Sequence, residues 1–285
     1  MSKVVATGLR LDTGDFVTGS DRWIPKGVDP TLPSSARVYD YLLGGGHNFA
    51  ADREVGERLV VMLPGAREGA RLNRAFLRRA VLFMISSGIR QFLDIGSGIP
   101  TVGNVHEVAQ KADPESRVVY VDNEPVAVAH SRQVLRDNER ASAIRADLTD
   151  PRAVLSHPET TRLLDFDRPI GLLIVSVLHF VPESKDPGAL LAHYREALAP
   201  GSFLAMSHLS ADHRPAETAA LVEVTKRTRD PSYPRSRQRF TQLFDGFELQ
   251  DPGVVSTALW RPDSDADLAD RPERDRVLAG VGRKP

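Results

Sequence analysis

The sequence predicts an α/β fold, a mainly parallel sheet of about seven strands with helices on both faces. Three observations predict it. From residue 91 onward, short apolar runs alternate with helix-like stretches. Small or acidic residues stand at or just after the ends of the first four of these runs, at Gly96, Asp122, Asp147 and Ser176. The chain of 285 residues is 41% hydrophobic and 26% charged, which suits a globular protein with an ample core.

Residues 1–33 read as an arm, rich in Gly, Pro, Asp and Thr and without sustained apolar periodicity. Pro33 with Ser34 and Ser35 then forms a helix-start signal, and Gly44-Gly45-Gly46 stops the helix after Leu43. Two further helices are expected, from about Ala50 to Met62 and from Gly69 to Ser87, so that 34–87 reads as a helical cap. In the second, Leu72, Phe76, Ala80 and Phe83 share one side. Arg67, Arg71, Arg74 and Arg78 line another, read as a solvated face.

The α/β domain is expected over 88–262. Gln91–Ile95, Arg117–Asp122, Ala143–Asp147, Pro169–Val177 and Phe203–Ser207 read as strands, with weaker ones at Phe247–Gln250 and Val254–Trp260. Helices are expected from about Val102 to Lys111, from Pro125 to about Asp137, from about Pro187 to Leu198 and near 213–228. Residues 263–285, with alternating charge and little apolar content, read as a charged tail.

Composition excludes several functions. There is no cysteine, hence no disulfide, thiolate metal site or cysteine nucleophile. The 37 basic and 38 acidic side chains nearly cancel, so no whole-molecule attraction to nucleic acid or membrane is expected. The most apolar run, Ile170–Val181, falls short of the roughly 20 residues of a membrane span. The N-terminus lacks an apolar signal segment, and a cytoplasmic location is expected.

Ligands of open parallel sheets sit at the carboxyl ends of the strands. After the first strand stands Asp94-Ile95-Gly96-Ser97-Gly98, where two glycines permit a tight turn and close backbone approach to a ligand. A dinucleotide fingerprint would need a third glycine where Thr101 stands. Asp94 would also repel a pyrophosphate, whereas it suits a cationic amino-acid moiety. After the second strand, Asp122 is placed to accept both hydroxyls of a ribose. Asp147-Leu148 and Ser176-Val177-Leu178-His179 follow the third and fourth.

At these residues the chain resembles the class I S-adenosylmethionine-dependent methyltransferases, which have a Rossmann-like fold. Phe92–Gly98 looks like that superfamily's first motif and Val119–Asp122 like its second. The stretch Val177–Pro182, with Leu198-Ala199-Pro200-Gly201 downstream, is similar to its fourth and fifth strand region. Three further stretches, Arg37–Gly45, Asn48–Asp52 and Asn104–Ala109, resemble a predominantly actinobacterial methyltransferase-like family of unknown function. The resemblance runs from about residue 20 to 262.

It implies S-adenosylmethionine as cofactor and a small-molecule methyl acceptor, modified on oxygen or nitrogen. Gly96, Ser97 and Gly98 would lie under the methionine part with Ile95, and Asp94 near its ammonium. Asp122 would hold the ribose, Asn123 flank the adenine, Asp147 bond its amino group and Leu148 pack beside it. Ser176 would lie where donor meets acceptor. In place of Asp/Asn-Pro-Pro-Tyr, found in many amino-methylating enzymes, stands Ser176-Val177-Leu178-His179, which argues against N6-adenine methylation. The absence of cysteine excludes the cytosine C5 mechanism.

His179 is the candidate base, since imidazole titrates near neutrality, and His208 is a second choice. Tyr39, Asp40 and Tyr41, with the Gly44–Gly46 loop, could cover the pocket. Arg227, Arg229, Arg235, Arg237 and Arg239 around Tyr233 read as solvated surface. Two alternatives stand beside the enzyme: a cofactor-binding sensor without turnover, and an NAD-dependent oxidoreductase.

Overall fold

The computed structural model describes residues 24–25, 28–100, 103–212, 214–263 and 276–285, so most of the expected arm lies outside the described residues. Parallel strands β1 (Gln91–Ile95), β2 (Arg117–Asp122), β3 (Ala141–Arg145), β4 (Gly171–Val175) and β5 (Phe203–Leu209) form the body of the sheet. Its order is β3-β2-β1-β4-β5-β8-β6, with β6 at Glu248–Leu249 and β8 at Val277–Arg283. Strand β8 runs antiparallel to β5 and also pairs β6 and the two-residue β7, Val255–Ser256. The sheet has eight strands where about seven were expected.

The eighth strand corrects the reading of 263–285 as a charged tail. Its full seven-residue length lies beside β5 in the sheet, and Leu278, Ala279 and Val281 are buried. Gly280 and Gly282 weaken its strand signal, and packing explains them. A Cβ on Gly282 would stand 2.8 Å from that of Phe247, and one on Gly280 3.0 Å from the Phe244 ring. The strand expected at Val254–Trp260 shrinks to β7 and a short 3-10 turn, because β8 takes the long pairing with β5.

Alternation along the strands splits the core in two. Leu93, Ile95, Val119, Val121 and Ile144 pack with Leu190, Tyr194 and Phe240 on one face. Phe92, Val118, Tyr120 and Leu173 pack on the other with Phe76, Val81 and Met84 of α3 (Ala66–Ser86). Helix α3 is thus a layer of the domain and no part of a cap, which corrects the 34–87 boundary.

What caps the sheet is α1 (Ser35–Leu42) and α2 (Ala50–Met62), joined through Val38, Val55, Leu59 and Leu63 to Leu221 and Val224. Ser34 caps α1 by accepting the Arg37 N–H, and Gly44 at φ 84° ends it, as its sequence requires. The helix expected from Val102 starts at Val105, where Asn104 and Glu107 form a capping box; 101–102 lie outside the described residues. Among the described residues no helix is long and apolar enough to cross a membrane.

The cap is pinned to the sheet by buried charge. Arg37 binds Asp52 at 2.8 Å and Glu124, just past β2, at 2.8 Å. Glu124 also holds Arg229 at 2.8 Å.

Candidate active site

The carboxyl ends of β1 to β4 open into a cavity of about 420 Å³, at the point where strand order reverses between β1 and β4. Asp94, Ile95, Gly96, Ser97, Gly98, Asp122, Asn123, Asp147, Leu148 and Ser176, all expected there, line it. Gly96 and Gly98 have φ of 71° and 68°, and a Cβ on Gly96 would overlap Val177 at 2.4 Å. Only glycine makes this turn at so close a range.

Asp122 accepts the Gly98 N–H at 2.7 Å and the Glu124 N–H at 2.8 Å, one on each oxygen. Among the described residues no further protein donor reaches either oxygen, the pattern a ribose diol can use. Burial pushes Asp94 up to about 7, against the pull of Arg74 and with a push from Asp122. Burial likewise pushes Asp122 up to about 6, although two backbone hydrogen bonds oppose it. Asp147 is also raised by burial, but Thr149, Lys185 and Asn123 together hold it below the usual carboxylate range. A cationic ligand between Asp94 and Asp122 would relieve both.

Arg74 is a correction. Read as part of a solvated stripe, it lines this cavity on the α3 side, where its charge pulls on Asp94 while it donates to Gly103 O at 3.2 Å. The signal was present: a buried strand carrying Asp94 calls for a cation, and the preceding helix supplies it. Asn73, Ser35, Lys185, Arg229 and Asp230 also line the cavity without having been singled out as its residues. Asp230 accepts the Ser35 N–H at 2.9 Å and its hydroxyl at 2.7 Å, a contact 195 residues apart that no local pattern could reveal.

Of the arginines around Tyr233, Arg227 is exposed as expected, and the other four are corrected. Arg235 is buried and donates to Leu178 O, Val181 O, Glu183 and His208. Arg229 binds Glu124, Arg237 donates to Val254 O, and Arg239 binds Glu183. These side chains fasten loops.

A second, apolar cavity of about 160 Å³ adjoins the first. Ser35, Tyr39, Asn73, Ser176, Phe180 and Asp230 line both. Ser176 stands at this boundary with φ 55°, a strained conformation for a side chain other than glycine. Ser207 holds it there, its carbonyl and hydroxyl accepting the Ser176 N–H at 3.1 and 3.0 Å. The Ser207 hydroxyl donates to Asn73 at 2.6 Å, and Asn73 donates to the Tyr39 hydroxyl at 3.0 Å. A polar chain thus runs from the cap to the end of β4.

His179 lines the apolar cavity, in a 3-10 turn after β4. The residue is 5% exposed, and its Nδ1 is buried with no hydrogen-bond partner among the described residues. Burial, with His208 and Arg235 nearby, lowers its pKa well below that of free imidazole, so it stands neutral.

His208 lines neither cavity, which corrects its place as a substrate residue. Its Nε2 accepts from Arg235 at 2.7 Å, leaving Nδ1 to donate to Leu209 O at 2.8 Å. Asp40 and Tyr41 are likewise absent from both linings. Asp40 accepts the His47 N–H and the Asn48 amide, fastening the glycine loop, and Tyr41 packs against Gly56 and binds Arg67. Tyr39 alone of the three reaches the cavities.

Comparison with known proteins agrees with this geometry. A family model described as S-adenosyl methyltransferase matches residues 21–285. The crystal structure of a candidate methyltransferase from Thermobifida fusca YX is 41% identical over 92% of this chain and 98% of its own, with a TM-score of 0.87. That of a DUF574 family protein from Streptomyces avermitilis is 37% identical over 90% and 99%, also at 0.87. A search of curated proteins finds no match. The family match sets aside the oxidoreductase alternative. The chain belongs to the S-adenosyl methyltransferase family, and S-adenosylmethionine is its cofactor.

Proposed function

We propose that the enzyme transfers a methyl group to a hydroxyl or amine of a small molecule, with the donor in the polar cavity and the acceptor in the apolar one. The observation that carries this is the shared wall at Ser176, where a polar cavity lined by Asp94, Asp122, Glu124, Asp147 and Asp230 meets an apolar cavity with one neutral imidazole, His179. When bound, S-adenosylmethionine supplies an electrophilic methyl group on a cationic sulfur.

In this reading Asp94 accepts the donor's ammonium, and Arg74 beside it meets the carboxylate. The Gly96–Gly98 turn, with Ile95 and Ser97, bears the methionine part, and Asp122 takes the ribose hydroxyls. Asn123 and Leu148 flank the adenine, and Asp147 accepts from its amino group. Ser176 marks the transfer point, Tyr39 closes the cap side, and His179 takes the proton that the acceptor sheds. The place of this neutral imidazole on the wall of the apolar cavity, which Ser176 also lines, supports that last role.

Two results are expected. Asp122→Ala should weaken S-adenosylhomocysteine binding by roughly 1.5–3 kcal/mol in calorimetry, the scale of a hydrogen bond to a charged group. In a screen of small-molecule extracts with labelled S-adenosylmethionine, His179→Ala should slow transfer by about 10²–10⁴-fold at unchanged cofactor affinity. An unchanged rate would return His179 to a structural role. Cofactor binding with no labelled product from any extract would favour a sensor.

A further inference from the structure

We infer that the apolar cavity takes a neutral, single-ring phenol and presents its hydroxyl oxygen for methylation. This rests on the methyltransferase reading above and narrows its acceptor. Size comes first. A cavity of about 160 Å³ is close to the roughly 150 Å³ known to admit one benzene ring. Val38 and Leu42 of α1, Val55 and Leu59 of α2, and Leu209 and Leu221 supply a wall with little to offer a charged ring.

Two charges touch the cavity. Asp230 accepts the Ser35 N–H and hydroxyl on Oδ2 and keeps Oδ1 open, among the described residues, at the rim shared with the polar cavity. Arg276 donates to Pro64 O at 2.7 Å and binds Glu217. The apolar wall makes a protonated amine costly to desolvate, with Asp230 Oδ1 its one carboxylate partner on that lining, so benzylamine belongs in the test. The Arg276 Nε has no partner, so a carboxylated ring belongs in the test.

The choice of hydroxyl follows from the base. His179 is held neutral and is a weak base, because burial disfavours its charged form. A weak base assists the more acidic hydroxyl: a phenol near pKa 10, as in tyrosine, rather than an aliphatic alcohol. In the transfer, a phenol oxygen lone pair forms the new O–CH₃ bond as the methyl–sulfur bond breaks. The electron pair of that bond stays on sulfur, leaving a neutral thioether. The phenolic proton passes to the His179 ring and from there to solvent.

Gly69 gives a variant that blocks the cavity without disturbing the fold. It lies in α3 on the cavity wall, and a Cβ there would meet nothing within 4 Å. Leucine also favours a helix more than glycine does. The test uses the full chain at pH 7.5 with 4-ethylphenol, benzyl alcohol, benzylamine and 4-hydroxybenzoate. Binding is read by calorimetry on the S-adenosylhomocysteine complex, and methylation by mass spectrometry with S-adenosylmethionine.

The expected result is binding and O-methylation of 4-ethylphenol, with benzylamine and 4-hydroxybenzoate at least tenfold weaker and benzyl alcohol unmethylated. Gly69→Leu should lose at least tenfold in 4-ethylphenol affinity while retaining S-adenosylhomocysteine affinity and thermal stability. Preference for the amine or the carboxylate would overturn the inference and leave the methyltransferase reading intact. So would 4-ethylphenol that fails to bind, that binds equally well to Gly69→Leu, or that binds without being methylated. Failure of the broader reading looks different: no product from any acceptor class in the extract screen.

Discussion

Asp94→Asn is expected to stabilise the free protein at pH 8 and to cripple its hold on the methyl donor. The carboxyl is buried within a strand whose neighbours are Phe92, Leu93 and Ile95, and burial pushes it up to about 7. Its ordinary value is 3.8. The folded state therefore binds the proton more tightly than the unfolded chain. The stabilising contribution of the protonated form is complete below about pH 4 and lost as pH rises through about 7. Above pH 8 the native state carries the whole cost of an ionised buried carboxylate, an upper bound on the order of 4 kcal/mol. Asparagine keeps the shape and removes the charge. The variant should melt several degrees above the parent at pH 8 and close to it at pH 4. A lower melting temperature at pH 8 would show that the carboxylate serves structure.

The same substitution should reduce S-adenosylmethionine affinity by about 10–150-fold, since a charge-assisted hydrogen bond contributes roughly 1.5–3 kcal/mol. In the parent, affinity should rise with pH up to about 7 and then level off, because only the ionised carboxylate attracts an ammonium. In Asp94→Asn that rise should shift to the region of Asp122, near 6. A stability gain bound to a functional loss is the signature expected of a group kept for its ligand.

Glu124→Ala should be among the most destabilising single changes in the molecule. Glu124 is 2% exposed and holds Arg37 from the cap and Arg229 from the far loop, each at 2.8 Å. Removing it leaves Arg37, itself 3% exposed, with Asp52 as its one ion-pair partner among the described residues, beside its bond to Leu32 O. Breaking a buried ion pair from one side costs about 3–5 kcal/mol, largely through the charge left behind. Differential scanning calorimetry should show a fall of about 2–4 °C per kcal/mol. The loss should persist in about 1 M salt, because buried pairs are little screened. A loss that vanished in salt would mark the network as superficial. Loss of the cap should also open the apolar cavity, since α1 and α2 form its roof.

The β1-to-β5 framework was legible because parallel strands buried on both faces are written as unbroken apolar runs, as in Leu172-Leu173-Ile174-Val175. The sheet side of the larger cavity was legible because Asp94–Gly98, Asp122, Asn123, Asp147, Leu148 and Ser176 sit within a few positions of a strand end, whereas its walls from Ser35, Asn73, Arg74 and Asp230 were not. Strand β8 was not, because Gly280 and Gly282 answer to Phe244 and Phe247 and not to local strand preference. Arg74 and Arg235 were misread because an arginine in sequence looks solvated until its buried partner is known. The Asp230–Ser35 contact and the burial of His208 depend on tertiary closure alone. Sequence order placed His179 just past the end of the fourth strand, but only packing shows it neutral and buried on an apolar wall.

A donor that fills the polar cavity should direct its sulfur across Ser176 at the apolar one. A crystal structure of the complex with S-adenosylhomocysteine checks this arrangement. Ribose hydroxyls should lie on Asp122, the ammonium beside Asp94, and the sulfur at the wall shared by the two cavities. A ligand whose ribose lies away from Asp122, or whose sulfur faces away from Ser176 and the apolar cavity, would contradict it.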